Sequence, residues 1–172
     1  MEEDIFVTIL SQFANSPLWG WHFLVPNDIA IKYIDGKDRR VICTINDHIT
    51  IHCALMPNKD TWFVMTNQQL VKKMNVPVNS EIKVCLKKDH SKYGMPMPEE
   101  MNEVLLQDPD ADDYFQALTS GKQRSLIYIV SKVKNSDSRI RKALAIADHL
   151  TANKGAIEYK LLNEALKEYN KM

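Results

Sequence analysis

Up to Lys88 the apolar residues come in short runs or alternate with polar ones, which is strand spacing. From Glu99 onward they recur every three or four positions, which is helix spacing. Ile5 to Phe13 is apolar and partly β-branched, and Asn15-Ser16-Pro17 interrupts it. Leu18 to Val25 predicts a second strand, with Trp19, Trp21 and Phe23 on one face. Pro26-Asn27-Asp28 closes that strand and opens a short helix through Tyr33, which Asp35-Gly36 stops. A hairpin follows. Val41, Cys43 and Ile45 alternate with more polar neighbours, Asn46-Asp47 supplies a two-residue turn, and Ile49, Ile51, Cys53 and Leu55 alternate again. Trp62 to Thr66 and Glu81 to Lys87 are further strands, with a helical turn or two over Gln68 to Met74 between them. Six short strands with two small helices suit a closed or split barrel, because closure removes exposed strand edges.

The pattern breaks at His90 to Pro98. Gly94, Pro96 and Pro98 make a stiff connector that neither a helix nor a central strand accepts. Five helices are expected beyond it: Glu99 to Leu106, Asp110 to Leu118, Lys122 to Val133, Ser138 to Leu150, and Ile157 to the C-terminus. Asp108-Pro109 opens the second with acids in its first turn. Leu126, Ile129, Val130 and Val133 form the apolar face of the third. Ile140, Leu144, Ala147 and Leu150 form that of the fourth, which Ser136 or Asp137 caps and Asn153 to Gly155 stops. The expected organisation is α+β: a small β-barrel domain over 1–90, a connector over 91–98 and a helical domain over 99–172.

Composition narrows the class. At 172 residues, 45% hydrophobic and 26% charged, the chain reads as globular rather than disordered. Its longest apolar runs, such as Leu126 to Val130, fall far short of the roughly 18–20 residues a spanning helix needs, so no membrane insertion is expected. Glu2, Glu3 and Asp4 are the opposite of a basic leader region. Cys43, Cys53 and Cys85 are odd in number and without CxxC spacing, which fits reduced thiols in a cytoplasm. Net charge is zero, so overall charge does not favour nucleic acid. The charges are segregated, however. Glu99 to Asp113 holds seven acids and no base, and Lys122 to Lys142 holds seven bases and one acid, Asp137.

Two stretches resemble known families. WHFLVPNDIAIKY through WFVMTNQQLVKKMNVPVNSEIKVCL resembles a small uncharacterised barrel family, related in fold to the double-split barrels of the AbrB and MazE type. YGMPMPEEM through DADDYFQALTSGKQRSLIYIVSKVKNSDSRIRKAL resembles the bacteriocin-protection, OmpD-associated (YdeI-like) family. That family pattern includes a Lys-x-x-x-Thr-Arg-x-x-Arg stretch, which Lys134, Ser138, Arg139 and Lys142 fill here. Ser keeps the capping hydroxyl, whereas Lys for Arg keeps the charge and loses the bidentate fork. In the barrel family a Gly precedes the final strand. Asn79 or Ser80 stands there, and Asn can adopt the same turn conformation.

Candidate chemistry is sparse. Cys43, His48, His52 and Cys53 invite a metal reading, but His48 and His52 are separated by ~13 Å of strand, and His52 and Cys53 point to opposite faces. No metal or cofactor is expected. Cys85 reads as a packed thiol in the apolar register of its strand. Asp108, Asp110, Asp112 and Asp113 read as a solvated helix start rather than a general acid-base pair. Arg139, Arg141 and Lys142 stand in the first turn of a helix, where the dipole prefers acids. Their partners are either internal, in the acidic run, or external, as phosphate or an acidic peptide. Trp19, Trp21 and Trp62 are either barrel wall or a stacking platform.

The expectation drawn from these features is a cytoplasmic, non-enzymatic binding protein, linked through its family resemblance to bacteriocin or envelope-stress tolerance. Its expected contact residues are Lys134, Arg139, Arg141 and Lys142, with Trp19 and Trp21 second. An unknown protein or acidic ligand is the expected partner, and a homodimer is compatible with the barrel type. A nucleic-acid-binding regulator is the less favoured alternative, and a small-molecule enzyme with a pocket between barrel and tail is the third.

Overall fold

A computed structural model describes residues 2–14 and 20–172 and divides the chain into two compact units, Met1–Gly94 and Met95–Met172. The described residues of the first unit form seven strands. They are β1 (Glu3–Gln12), β2 (Trp21–Val25), β3 (Arg40–Ile45), β4 (Ile49–Ala54), β5 (Met56–Asn58), β6 (Thr61–Met65) and β7 (Glu81–Lys88). Two short helices, α1 (Asn27–Ala30) and α2 (Gln68–Met74), interrupt them, and a 3-10 turn, Ile31–Tyr33, extends α1. The strands make one antiparallel sheet in the order β4-β3-β7-β1-β2-β6-β5.

The sheet curls because β1 changes partner along its length. Glu3 to Ile9 pair with β7, and Leu10 to Gln12 pair with β2. One face of the curl carries the core, in which Leu10, Phe23, Val41, Cys43, Ile45, Leu55, Val64, Val84 and Leu86 have no exposed surface. The alternation read in the β3–β4 hairpin is what puts Val41, Cys43 and Ile45 there. Its turn also forms as read. Asn46 and Asp47 have φ of 49° and 64°, and the His48 N–H donates to the Ile45 carbonyl at 3.2 Å. Asn79, standing where the related family has Gly, adopts φ 64° and donates its N–H to the Leu10 carbonyl at 2.8 Å.

Two details, the strand count and the position of Cys85, differ from the sequence reading. The seventh strand, β5, is a three-residue edge containing Pro57, which tolerates that edge because it has no N–H to offer a ladder. Only one face of β1 is buried, leaving Ile5, Val7 and Ile9 outward. Cys85 lies opposite Ile5 and Thr44, off the buried register of Ile82, Val84 and Leu86.

The second unit consists of α3 (Glu99–Gln107), α4 (Pro109–Gln116), α5 (Ser120–Ser131), α6 (Ser136–Ala152) and α7 (Tyr159–Asn170). Asp108 caps α4, its carboxylate accepting from the Ala111 N–H at 3.1 Å. Helix α6 is central and packs against the other four. Its buried residues are Ala143, Ala145, Ile146, Ala147, His149 and Leu150, the three alanines letting neighbours approach on several sides. Ile140 and Leu144, expected in the core, are 38% and 39% exposed. Beyond α6, Gly155 takes φ 84° and donates its N–H to the Leu150 carbonyl at 2.8 Å, the stop that the sequence implies. Among the described residues no helix is long and apolar enough to cross a membrane.

Candidate functional site

Helix α6 starts earlier than its apolar spacing suggests, and this relocates the basic residues. Its cap is Asn135 rather than Ser136 or Asp137, and the Asn135 side chain accepts from the Ser138 N–H at 2.9 Å. Arg139, Arg141 and Lys142 therefore lie past the first three helical residues, where the dipole effect has weakened. At about 100° per residue, Arg139 and Lys142 share one side of the helix and Arg141 faces another.

Arg139 is held inside the unit. Its Nε donates to the Val133 carbonyl at 2.7 Å, and its Nη1 lies 3.7 Å from Oε2 of Glu100 on α3. The Glu100 carboxyl is held below its usual range by its own backbone N–H first, then against its desolvation by Ser136 and Arg139. Here the acidic and basic stretches meet through the Arg139–Glu100 ion pair.

Four cations around the start of α6 have no such partner among the described residues. Lys132 caps the C-terminus of α5 and Lys134 follows it in the loop, both exposed. Lys142 is half-buried nearby, and burial first, then the Lys132 charge, pull its ammonium below the usual lysine range. Lys132, Lys134, Arg141 and Lys142 make no ion pair among the described residues. Lysines near the C-terminus of α5 suit its dipole, which accounts for their placement but not for the crowding of Lys142.

The first unit offers a different setting. A cavity of about 710 Å³ is lined by Trp21, Ile51, His52, Cys53, Met65 and Thr66, among others. The Thr66 hydroxyl is buried without a hydrogen-bond partner. Trp21 packs partly against the core, as does Trp62. Trp19, the other aromatic singled out, lies outside the described residues.

Asp89, at the end of β7, has no exposed side-chain surface and gathers three hydrogen bonds. His52 Nδ1 donates at 2.8 Å, the Ser91 hydroxyl at 2.6 Å and the Ser91 N–H at 2.9 Å. Burial opposes its ionisation, but the bonds from Ser91 and His52 outweigh that and hold the carboxyl below its usual range. A nucleophilic triad places the imidazole between hydroxyl and carboxylate, so that it can take the hydroxyl proton. Here the carboxylate is in the middle, and the arrangement ties β4 to the segment after β7. The sequence reading missed it because His52 and Asp89 are 37 positions apart. Among the described residues no group of three or more His, Cys, Asp or Glu is placed to hold a metal.

The lysines of β7 are each matched by an acid: Lys83 by Asp47 at 2.8 Å, Lys87 by Glu3 at 2.8 Å and Lys88 by Asp38 at 2.9 Å. Strand β7 therefore presents paired charge, and the unpaired cations described above lie at the α5–α6 corner.

No curated protein and no solved structure matched the chain. Residues 95–153 match the family model OmdA, described as bacteriocin-protection, YdeI or OmpD-associated. That segment runs from the start of the second unit to the end of α6 and contains Lys132, Lys134, Arg139, Arg141 and Lys142. Over residues 95–153, this chain is similar to the bacteriocin-protection, YdeI or OmpD-associated family.

Proposed function

We propose that the chain is a cytoplasmic, non-enzymatic binding protein that captures an acidic segment of a partner protein at the α5–α6 corner. The observation that carries this reading is Lys142. A half-buried ammonium beside Lys132 with no acid opposite raises the free energy of the unbound protein. A carboxylate placed between the two lysines relieves both the desolvation and the repulsion. Arg139, fixed by Val133 and Glu100, then serves to hold the corner in shape rather than to contact the partner. Ile140 and Leu144, exposed on α6, give a partner apolar contact beyond charge. A role in bacteriocin or envelope-stress tolerance is proposed from the description of the family alone.

A peptide is favoured over nucleic acid because the three lysines of β7 are already paired and the net charge is zero. The test is a fluorescence-anisotropy titration of the full chain with a labelled Glu-rich amphipathic peptide, a neutral scramble, and duplex and single-stranded DNA. Each titration is run at low and high salt. Saturable binding of the acidic peptide alone, weakening with salt, is the expected result. Preference for either DNA would replace this reading with that of a nucleic-acid regulator, and no binding at low salt would end it.

A further inference from the structure

Two nucleophilic side chains of the first unit take no part in the binding face. Cys43 on β3 and Cys53 on β4 lie diagonally across the hairpin, because Cys43 is opposite Ile51 and Cys53 is opposite Val41. Both are on the face that carries Val41 and Ile45, with their Sγ atoms 3.4 Å apart. Their surroundings differ. Cys43 is fully buried, whereas Cys53 is half-buried and lines the cavity with Trp21, Met65 and Thr66. The third thiol, Cys85, is on the opposite face of the sheet beside Glu3.

We propose that Cys43 and Cys53 form a reactive dithiol, in which Cys53 reacts with a hydroperoxide entering the cavity and Cys43 then closes an intramolecular disulfide. The Cys53 sulfur attacks one peroxide oxygen and the O–O bond breaks. The leaving hydroxide takes up the thiol proton as water, and the sulfur becomes a sulfenic acid. The Cys43 sulfur next attacks the Cys53 sulfur, the S–O bond breaks, and hydroxide leaves with the Cys43 proton as a second water. Two thiols and one hydroperoxide give one disulfide and two waters, or one water and one alcohol from an organic hydroperoxide. The peroxide is reduced and the sulfurs are oxidised by two electrons in all.

The order of events follows from the environments. The Cys53 sulfur alongside it and its own burial push the Cys43 thiol well up, so Cys43 keeps its proton. Of the two sulfurs, that of Cys53 is the one that borders the cavity and can meet a peroxide there. Burial and the Glu3 carboxylate also push Cys85 up, which leaves it the poorer nucleophile. Disulfide closure needs the sulfurs to approach to roughly 2.0 Å. Strand β4 is an edge strand laddered only to β3, so the hairpin can take up that movement.

The test is hydrogen peroxide titration of the reduced full chain, followed by alkylation and non-reducing peptide mapping. Expected is a linked Cys43–Cys53 peptide, with Cys85 still alkylated at the peroxide level that consumes the other two. In Cys43→Ala the link is lost and a sulfenic acid on Cys53 is trapped by dimedone. In Cys53→Ser, Cys43 stays unmodified in the folded protein. Oxidation of Cys85 before the pair, or a link that forms only after denaturant is added, overturns the proposal. The wild-type mapping alone decides between these outcomes if either variant fails to fold.

Discussion

Asp89 concentrates three hydrogen bonds on a carboxylate with no exposed surface, and its effect on stability has a definite sign. A carboxyl held below its usual range stabilises the fold above the ordinary carboxylate range, and that stabilisation is lost as pH falls through the depressed value. Asp89→Asn puts an amide N–H where a donor already points, and should cost about 2 kcal/mol in a urea melt near neutral pH. A change within error would mean that the three bonds contribute nothing net. His149 works in a different pH window. It is 5% exposed, and its Nε2 accepts from the Glu158 N–H at 3.1 Å, which requires the neutral ring. Burial pulls its pKa below the ordinary value, so its contribution is complete above about pH 6.5 and fades as the ring protonates. His149→Gln keeps an acceptor and cannot titrate. The fall in Tm between about pH 7.5 and about pH 5 should be smaller in this variant than in wild type. Equal falls would show that His149 is not what makes the unit acid-sensitive.

At the scale of elements, residues with a local physical cause were legible and residues positioned by distant contacts were not. The β3–β4 hairpin could be read because Asn46 and Asp47 tolerate positive φ and Val41, Cys43 and Ile45 alternate. Strand β5 escaped because Pro57 in three residues looks like a loop. The phase of α6 was misjudged for another reason. A helix packed by four others buries alanines on several sides, so its large apolar residues no longer mark the inner face, and Ile140 and Leu144 turn outward. Its start was misplaced because Asn135, Ser136 and Asp137 are all capable caps, and only the Ser138 N–H bond selects Asn135. Asn135→Ala should therefore destabilise the chain by about 1 kcal/mol, read as a lowered urea midpoint with unchanged m. No change in midpoint would mean that another residue caps the helix.

For the molecule as a whole, zero net charge conceals a division between charges that are matched inside each unit and charges that are not. Lys83, Lys87, Lys88 and Arg139 have acids opposite them, whereas Lys132, Lys134, Arg141 and Lys142 have none among the described residues. The sequence showed that charge was segregated along the chain, but not which cations would be left over. That outcome depends on how α3 and α6 bring Glu100 to Arg139. The most direct measurement is a charge swap on the exposed lysines, Lys132→Glu/Lys134→Glu, titrated with an acidic peptide and with a basic peptide of equal length. Wild type should bind the acidic peptide and not the basic one. The variant should lose at least about tenfold in affinity for the acidic peptide and gain binding of the basic one. Equal affinity of both proteins for the acidic peptide would contradict the assignment of this corner as the binding face.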